Sequence, residues 1–207
     1  MIQSVITIAR QYGSGGRIIG KKLAESLGIP FYDKELIAMA AKKSGLSEEI
    51  FAKADEKATS SLLYSLVMGT YNFGTHFSPV SDMPINDRLF VIQSDIIKSA
   101  AQEGPCVVVG RCADYILREH PHCFHVFIRA DHEERIKRIV GEYGEPQAKA
   151  EDLLIKKDKQ RANYYNFYSN KKWGDLNNYD LVVNSSLFGE EGTVNLIKAA
   201  VEAGEKR

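Results

Sequence analysis

Apolar and polar positions along the chain fall into five short hydrophobic runs followed by helical spacing. The first, Val5-Ile6-Thr7-Ile8-Ala9, passes through Arg10-Gln11-Tyr12-Gly13-Ser14-Gly15-Gly16-Arg17 into an amphipathic stretch over 18–27 that closes at Gly28. The second covers 30–33 and ends on Asp33, the third is Cys106-Val107-Val108-Val109, and the fourth covers 124–129. The fifth, Leu181-Val182-Val183-Asn184, precedes a terminal helix over about 192–203. Short β-branched runs of this kind suit strands covered on both faces. Strands alternating with helices predict an α/β fold: a parallel sheet with helices on both faces, in three layers. Ligands of such sheets gather at the carboxyl ends of the strands, and each motif below follows a strand.

The segment 59–86 departs from this rhythm. It carries Tyr64, Gly69, Tyr71, Phe73, Gly74, His76, Phe77, Pro79 and Pro84 without a steady period. A stretch of that length and composition reads as a functional loop or flap, with an irregular packing segment or dimer contact as the plain alternative. A long helix over 87–103, with Leu89, Ile92, Ile96 and Ala100 on one face, leads into the third strand.

Bulk properties narrow the function. The chain has 207 residues, 27 basic and 27 acidic, so no global field draws it to nucleic acid or to a membrane surface. Its length suits a single domain. It shows neither a signal-peptide pattern nor an apolar run approaching the ~18 residues of a membrane span, which points to the cytoplasm. The three cysteines, Cys106, Cys112 and Cys123, are an odd number without zinc-type spacing, and no metal site is expected from them.

The loop after the first strand is the strongest chemical signal. Gly13, Gly15 and Gly16, with Ser14, allow backbone amides to approach phosphate oxygens, and the following helix presents its N-terminus. The strict phosphate-loop pattern, which ends in lysine and a hydroxyl residue, is broken: Gly16 and Arg17 stand at those two positions. Arg17 is then the candidate cation. Lys21, one turn into the helix, is expected to face solvent or the helix side, away from the loop. A glycine-rich strand-to-helix turn without a ligand is the plain alternative.

The order of these motifs resembles cytidylate kinase. It runs from the apolar strand and Gly13-Ser14-Gly15 through Lys21, Leu23-Ala24-Glu25 and Leu27-Gly28 to Asp33. It continues at Val108-Val109-Gly110-Arg111, at Val126-Phe127-Ile128-Arg129-Ala130-Asp131 with Glu133, Glu134, Arg135 and Arg138, at Asp158 and Arg161, and at Tyr179 to Ser185. Ile29-Pro30-Phe31-Tyr32-Asp33-Lys34-Glu35-Leu36-Ile37 looks closer still to the cytidylate kinase-like proteins, a branch of the nucleoside monophosphate kinases. The resemblance implies a kinase of the phosphate-loop nucleoside monophosphate type over 1–207, with a substrate-side insert at about 59–86 and a lid at about 138–161.

The implied activity is transfer of the γ-phosphoryl group of ATP, with Mg2+, to a pyrimidine nucleoside monophosphate such as CMP or dCMP. The residues implied to carry it are Gly13, Ser14, Gly15, Gly16 and Arg17 for the donor phosphates, and Asp33, Arg111 and Asp114 for the acceptor. Arg17, Arg138, Asp158 and Arg161 are the implied catalytic set. Positioned cations are what such a transfer requires. Helix-surface pairing with Glu133, Glu134 or Glu142 is the plain reading of Arg135 and Arg138. Cys112 stands where the family has an acidic residue after its Gly-Arg, which leaves base preference open. Nucleotide partners and a monomer or homodimer are expected. The alternatives are a nucleotide-binding protein impaired in catalysis, and a kinase with a non-nucleotide acceptor.

Overall fold

The computed structural model describes residues 2–34 and 84–206. Most of the 59–86 segment therefore lies outside the described residues, as do Glu35-Leu36-Ile37. Strand β1 (Val5–Arg10) occupies the centre of a five-stranded sheet of order β2-β3-β1-β4-β5. It pairs with β3 (Val107–Val109) through Ile6↔Val107 and Ile8↔Val109, and with β4 (Cys123–Arg129) from Val5↔Cys123 to Arg10↔Ile128. β2 (Phe31–Tyr32) and β5 (Leu181–Asn184) form the edges, and all four pairings are parallel. The β-branched runs account for this, since side chains at alternate positions meet a helical layer on either face. β2 is shorter than its apolar run because Pro30 has no N–H for the ladder, although its carbonyl accepts from the Val107 amide at 2.9 Å.

On one face, α1 (Gly16–Leu27) and α6 (Ser185–Gly204) bury Ile19, Leu23, Val194, Ile197 and Val201 against Ile6, Ile8, Val107 and Val126. On the other, α2 (Ile85–Glu103), α3 (Ala113–Ile116) and α5 (Gln147–Ser169) set Ile97, Ala101, Ile116 and Tyr165 against Val5 and Val108. These are the three layers expected. A smaller cluster of Ile139, Ala150 and Leu154 joins α4 (His132–Gly141) to α5 and packs on Tyr12, which ties it to the loop after β1.

Two helices differ from their sequence patterns. The inward face of α2 carries Leu89, Gln93, Ile97 and Ala100, not Ile92 and Ile96, which are half-buried. Polar aromatic chains of α5 lie beneath it: the Tyr164 hydroxyl donates to Gln93 Oε1 at 3.3 Å, which gives a buried glutamine a partner. The last helix begins at Ser185, capped by the Asn184 side chain accepting from the Ser186 amide at 3.1 Å, and it breaks at Gly189 (φ 64°, ψ −176°). Two glycines in one stretch hide that first turn from a periodicity reading.

Candidate functional site

The loop joining β1 to α1 lies at the carboxyl end of the central strand. Gly13 (φ 79°) and Gly15 (φ 73°) both take the left-handed conformation that glycine adopts without steric cost. α1 opens at Gly16 with no side-chain cap among the described residues, and a helix start of this kind favours an anion. Ser14 is buried, and its hydroxyl donates to the Gln11 carbonyl at 2.9 Å, bracing the loop from within. The Ser185 hydroxyl donates to the Ser14 carbonyl at 2.8 Å, tying the loop to the start of α6.

Four charged side chains from α4 and α5 converge on this loop. Asp158 accepts the Tyr12 amide at 2.7 Å through Oδ1 and the Arg135 guanidinium through Oδ2. Arg135, 6% exposed, also donates through Nε to the Tyr12 carbonyl at 2.6 Å. The two therefore hold both polar groups of the Tyr12 backbone. Arg135 is a buried clamp, and the helix-surface pairing offered by its spacing is corrected on that ground. Arg138 Nη1 donates to the Gly13 carbonyl at 3.1 Å, and Nε meets Glu142 at 3.1 Å. Arg161 Nη1 donates to the Arg10 carbonyl at 3.0 Å and lies over the Tyr12 ring at 5.5 Å. Burial lowers the Arg161 pKa, with Asp158 opposing from 4.0 Å.

Around this loop stand the remaining candidates. Arg17 pairs through Nε with the buried Asp33 at 2.6 Å while its own side chain is 58% exposed. Lys21 faces solvent and approaches Glu25 at 3.9 Å. After β3, Gly110 (φ 80°), Arg111 (φ 58°) and Cys112 (φ 56°) are left-handed in succession. Such a conformation costs on the order of 1 kcal/mol or more for a residue with a Cβ, and strain of this kind clusters at functional sites. The Arg111 guanidinium lies 5.9 Å from the Tyr164 ring centroid.

Asp114 points elsewhere. It is buried in the layer between sheet and α5, where it accepts the Tyr165 hydroxyl at 2.7 Å. Burial raises its pKa, and the hydrogen bond from Tyr165 opposes this. Nearby, Thr7 Oγ1 lies 2.8 Å from His125 Nδ1. Burial lowers the His125 pKa, with Asp114 and Asp180 opposing. The unfolded chain therefore takes up a proton near pH 6.5 that the folded chain resists, and this contribution to stability is lost as pH falls below about 6.5. His125→Gln is expected to flatten the acid limb of the stability curve relative to wild type. Urea melts between pH 7 and pH 5 check this, and parallel limbs for the two proteins would assign the acid loss to other groups.

Arg10, at the end of β1, escapes a reading based on loop motifs. Its stem runs beside Gly16, where an added Cβ would lie 2.6 Å from Arg10 Cβ, and its Nη1 reaches the space a Cβ on Gly110 would fill. Burial, then Arg161 and Arg111, lower its pKa to about 9, with Asp33 opposing. The signal in the sequence is an arginine closing a buried, largely apolar central strand. Among the described residues, no three His, Cys, Asp or Glu side chains gather as a metal site, and no helix is long and apolar enough to cross a membrane. The three cysteines are free.

A five-stranded parallel sheet between two helical layers, with a glycine loop after its central strand, is the fold of the phosphate-loop nucleoside monophosphate kinase type. The family model of the cytidylate kinase-like family matches residues 5–187, and the chain belongs to that family. It is similar to the cytidylate kinase of Archaeoglobus fulgidus, 28% identical over 202 residues, covering 95% of this chain and 94% of that one. It is also similar to the cytidylate kinase of Pyrococcus horikoshii, 26% identical over 200 residues, covering 96% and 88%. Among solved structures, an uncharacterized protein from Eubacterium ventriosum superposes with a TM-score of 0.73 at 27% identity, covering 97% of this chain and 99% of that one. A shikimate kinase from Bacteroides thetaiotaomicron shares the fold at a TM-score of 0.53 and 13% identity, covering 97% and 99%.

Proposed function

We propose that the protein transfers the γ-phosphoryl group of ATP to a pyrimidine nucleoside monophosphate such as CMP or dCMP. The observation that carries this reading is the convergence of Arg138 and Arg161 on the glycine loop, with Arg111 in the strained turn after the neighbouring strand. The amides from Gly13 to Arg17 and the start of α1 receive the donor phosphates. Arg111 holds the acceptor's phosphate through its planar fork. Arg138 and Arg161 lie on the segment 138–161, which serves as the lid. They neutralise charge on the phosphoryl group in transit, where fixed cations in a water-poor site act most strongly. Asp158 orients them indirectly: with Arg135 it fixes Tyr12, and it lies 4.0 Å from Arg161. A magnesium ion carried by the donor would neutralise phosphate charge, and would take most of its oxygen ligands from those phosphates and from water. Asp33 is the cleft carboxylate at hand. The non-nucleotide acceptor remains the competing outcome of an acceptor screen.

Arg111→Ala tests this division of labour. The KM for the monophosphate is expected to rise tenfold or more, since a charge-assisted bidentate contact is lost, while the KM for ATP stays within about threefold. Steady-state kinetics with each substrate varied in turn read the split. A rise confined to ATP, or no change in either constant, would remove Arg111 from the acceptor side.

A further inference from the structure

We propose that Arg10 is a catalytic residue of this site: it supplies the cation that a strict phosphate loop takes from its lysine, and it grips the phosphoryl group passing between donor and acceptor. The inference rests on the kinase reading above and adds a residue that reading does not use. It starts from Gly16, which stands at the lysine position of the loop pattern. A Cβ there would lie 2.6 Å from Arg10 Cβ and 2.9 Å from Arg10 Cγ. The Arg10 stem thus fills the volume in which a lysine at position 16 would begin, so the two side chains exclude each other.

At its other end the side chain reaches the acceptor turn, where a Cβ on Gly110 would overlap Arg10 Nη1. Glycines at 16 and 110 leave a passage that this one side chain occupies, and it spans from the loop to the turn that carries Arg111. Arg17, the other cation beside the loop, is engaged by Asp33 at 2.6 Å. Arg10 differs: among the described residues its guanidinium donates no hydrogen bond, and its charged neighbours are Arg161 and Arg111 against the single carboxylate of Asp33. A planar five-donor group in mainly cationic surroundings is matched to a multiply charged phosphate. The neighbours that disfavour its charge, Arg161 and Arg111, become co-ligands of that anion.

In the transfer, an acceptor phosphate oxygen bonds to the γ-phosphorus. The bond from that phosphorus to the β–γ bridging oxygen breaks, and its electrons leave on the donor's diphosphate. Arg10 donates N–H groups to the γ-oxygens and transfers nothing.

The test compares full-length wild type with Arg10→Gln, Arg10→Lys, Arg10→Gly and the double variant Arg10→Gly/Gly16→Lys, using turnover with ATP, Mg2+ and CMP. Calorimetric affinities for ATP and ADP are measured beside it. Arg10→Gln is expected to lose turnover by about 100-fold or more, as deletion of a donor to developing charge does. Its ATP affinity is expected to fall about tenfold while its ADP affinity stays within threefold, because only ATP carries the γ-phosphate. Arg10→Lys keeps a charge without the fork and is expected to fall between. It carries the comparison if Arg10→Gln does not fold. The double variant places a lysine in the vacated space and is expected to recover at least tenfold over Arg10→Gly.

A folded Arg10→Gln that discriminates ATP from ADP as wild type does would overturn the assignment, whether or not wild type turns over. Wild type that turns over no acceptor, combined with lost discrimination in Arg10→Gln, would instead sink the kinase reading and leave Arg10 as a γ-phosphate ligand.

Discussion

Asp158→Ala is expected to destabilise the protein by about 3–5 kcal/mol, because it strands a buried arginine. Arg135 has 7% side-chain exposure and meets Asp158 through Nη2, and the same carboxylate takes the Tyr12 amide at 2.7 Å. Removing it leaves a guanidinium without its counter-charge and a loop amide without its acceptor. For a chain of this length such a loss lowers the melting temperature by roughly 10 °C. Turnover is expected to fall with it, since the freed Tyr12 precedes Gly13 in the phosphate loop. The double variant Asp158→Leu/Arg135→Met, which removes both charges, is expected to recover much of the stability but not the turnover. Thermal melts of the three proteins decide the point. An Asp158→Ala variant melting within 2 °C of wild type would show that the clamp on Tyr12 contributes little.

Gly13→Ala is the second large effect. Its φ of 79° penalises any Cβ, and that Cβ would sit 2.8 Å from the Arg135 carbonyl oxygen and 3.0 Å from Arg135 Cβ. These are atoms of α4 at its contact with the loop, and they cannot retreat without moving the helix. The expected cost is about 2–3 kcal/mol from backbone strain and overpacking together. Displacing the loop by even part of an ångström removes its amides from the phosphate, and turnover is expected to fall by about 100-fold. Gly28→Ala is the comparison: its φ is 66°, yet nothing lies within 4 Å of the added Cβ. That variant is expected to lose only about 1 kcal/mol and to keep its turnover. Equal effects at the two glycines would mean that conformational strain alone, and not the approach of α4, sets the role of Gly13.

The fold was legible because buried parallel strands announce themselves as β-branched runs, and β1, β3, β4 and β5 fall on the expected runs to within a residue. The kinked first turn of α6 was not, since Gly189 and Gly192 erase its periodicity. The inward face of α2 was not either, because Gln93 is buried only through its tertiary partner Tyr164. In the site, Arg138, Asp158 and Arg161 do converge on the loop, a pattern visible in family order. What order cannot convey is contact: Ser14 braces the loop, Asp114 turns to Tyr165, and Arg17 is engaged by Asp33. Arg135 becomes a buried clamp because α5 happens to bring Asp158 against it. Arg10 is invisible in motif order for the converse reason: it belongs to a strand, and its meaning lies in the space left by two glycines distant in sequence.

In the proposed reaction the γ-phosphoryl group passes directly to an acceptor's phosphate. The most direct measurement incubates the protein with ATP labelled at the γ-phosphate, magnesium and CMP, then locates the label. Recovery in the β-phosphate of CDP, dependent on CMP and reduced by Arg111→Ala when CMP is below saturation, is the predicted result. Label found only in inorganic phosphate, or left on ATP with CMP and every other monophosphate tried, would contradict it.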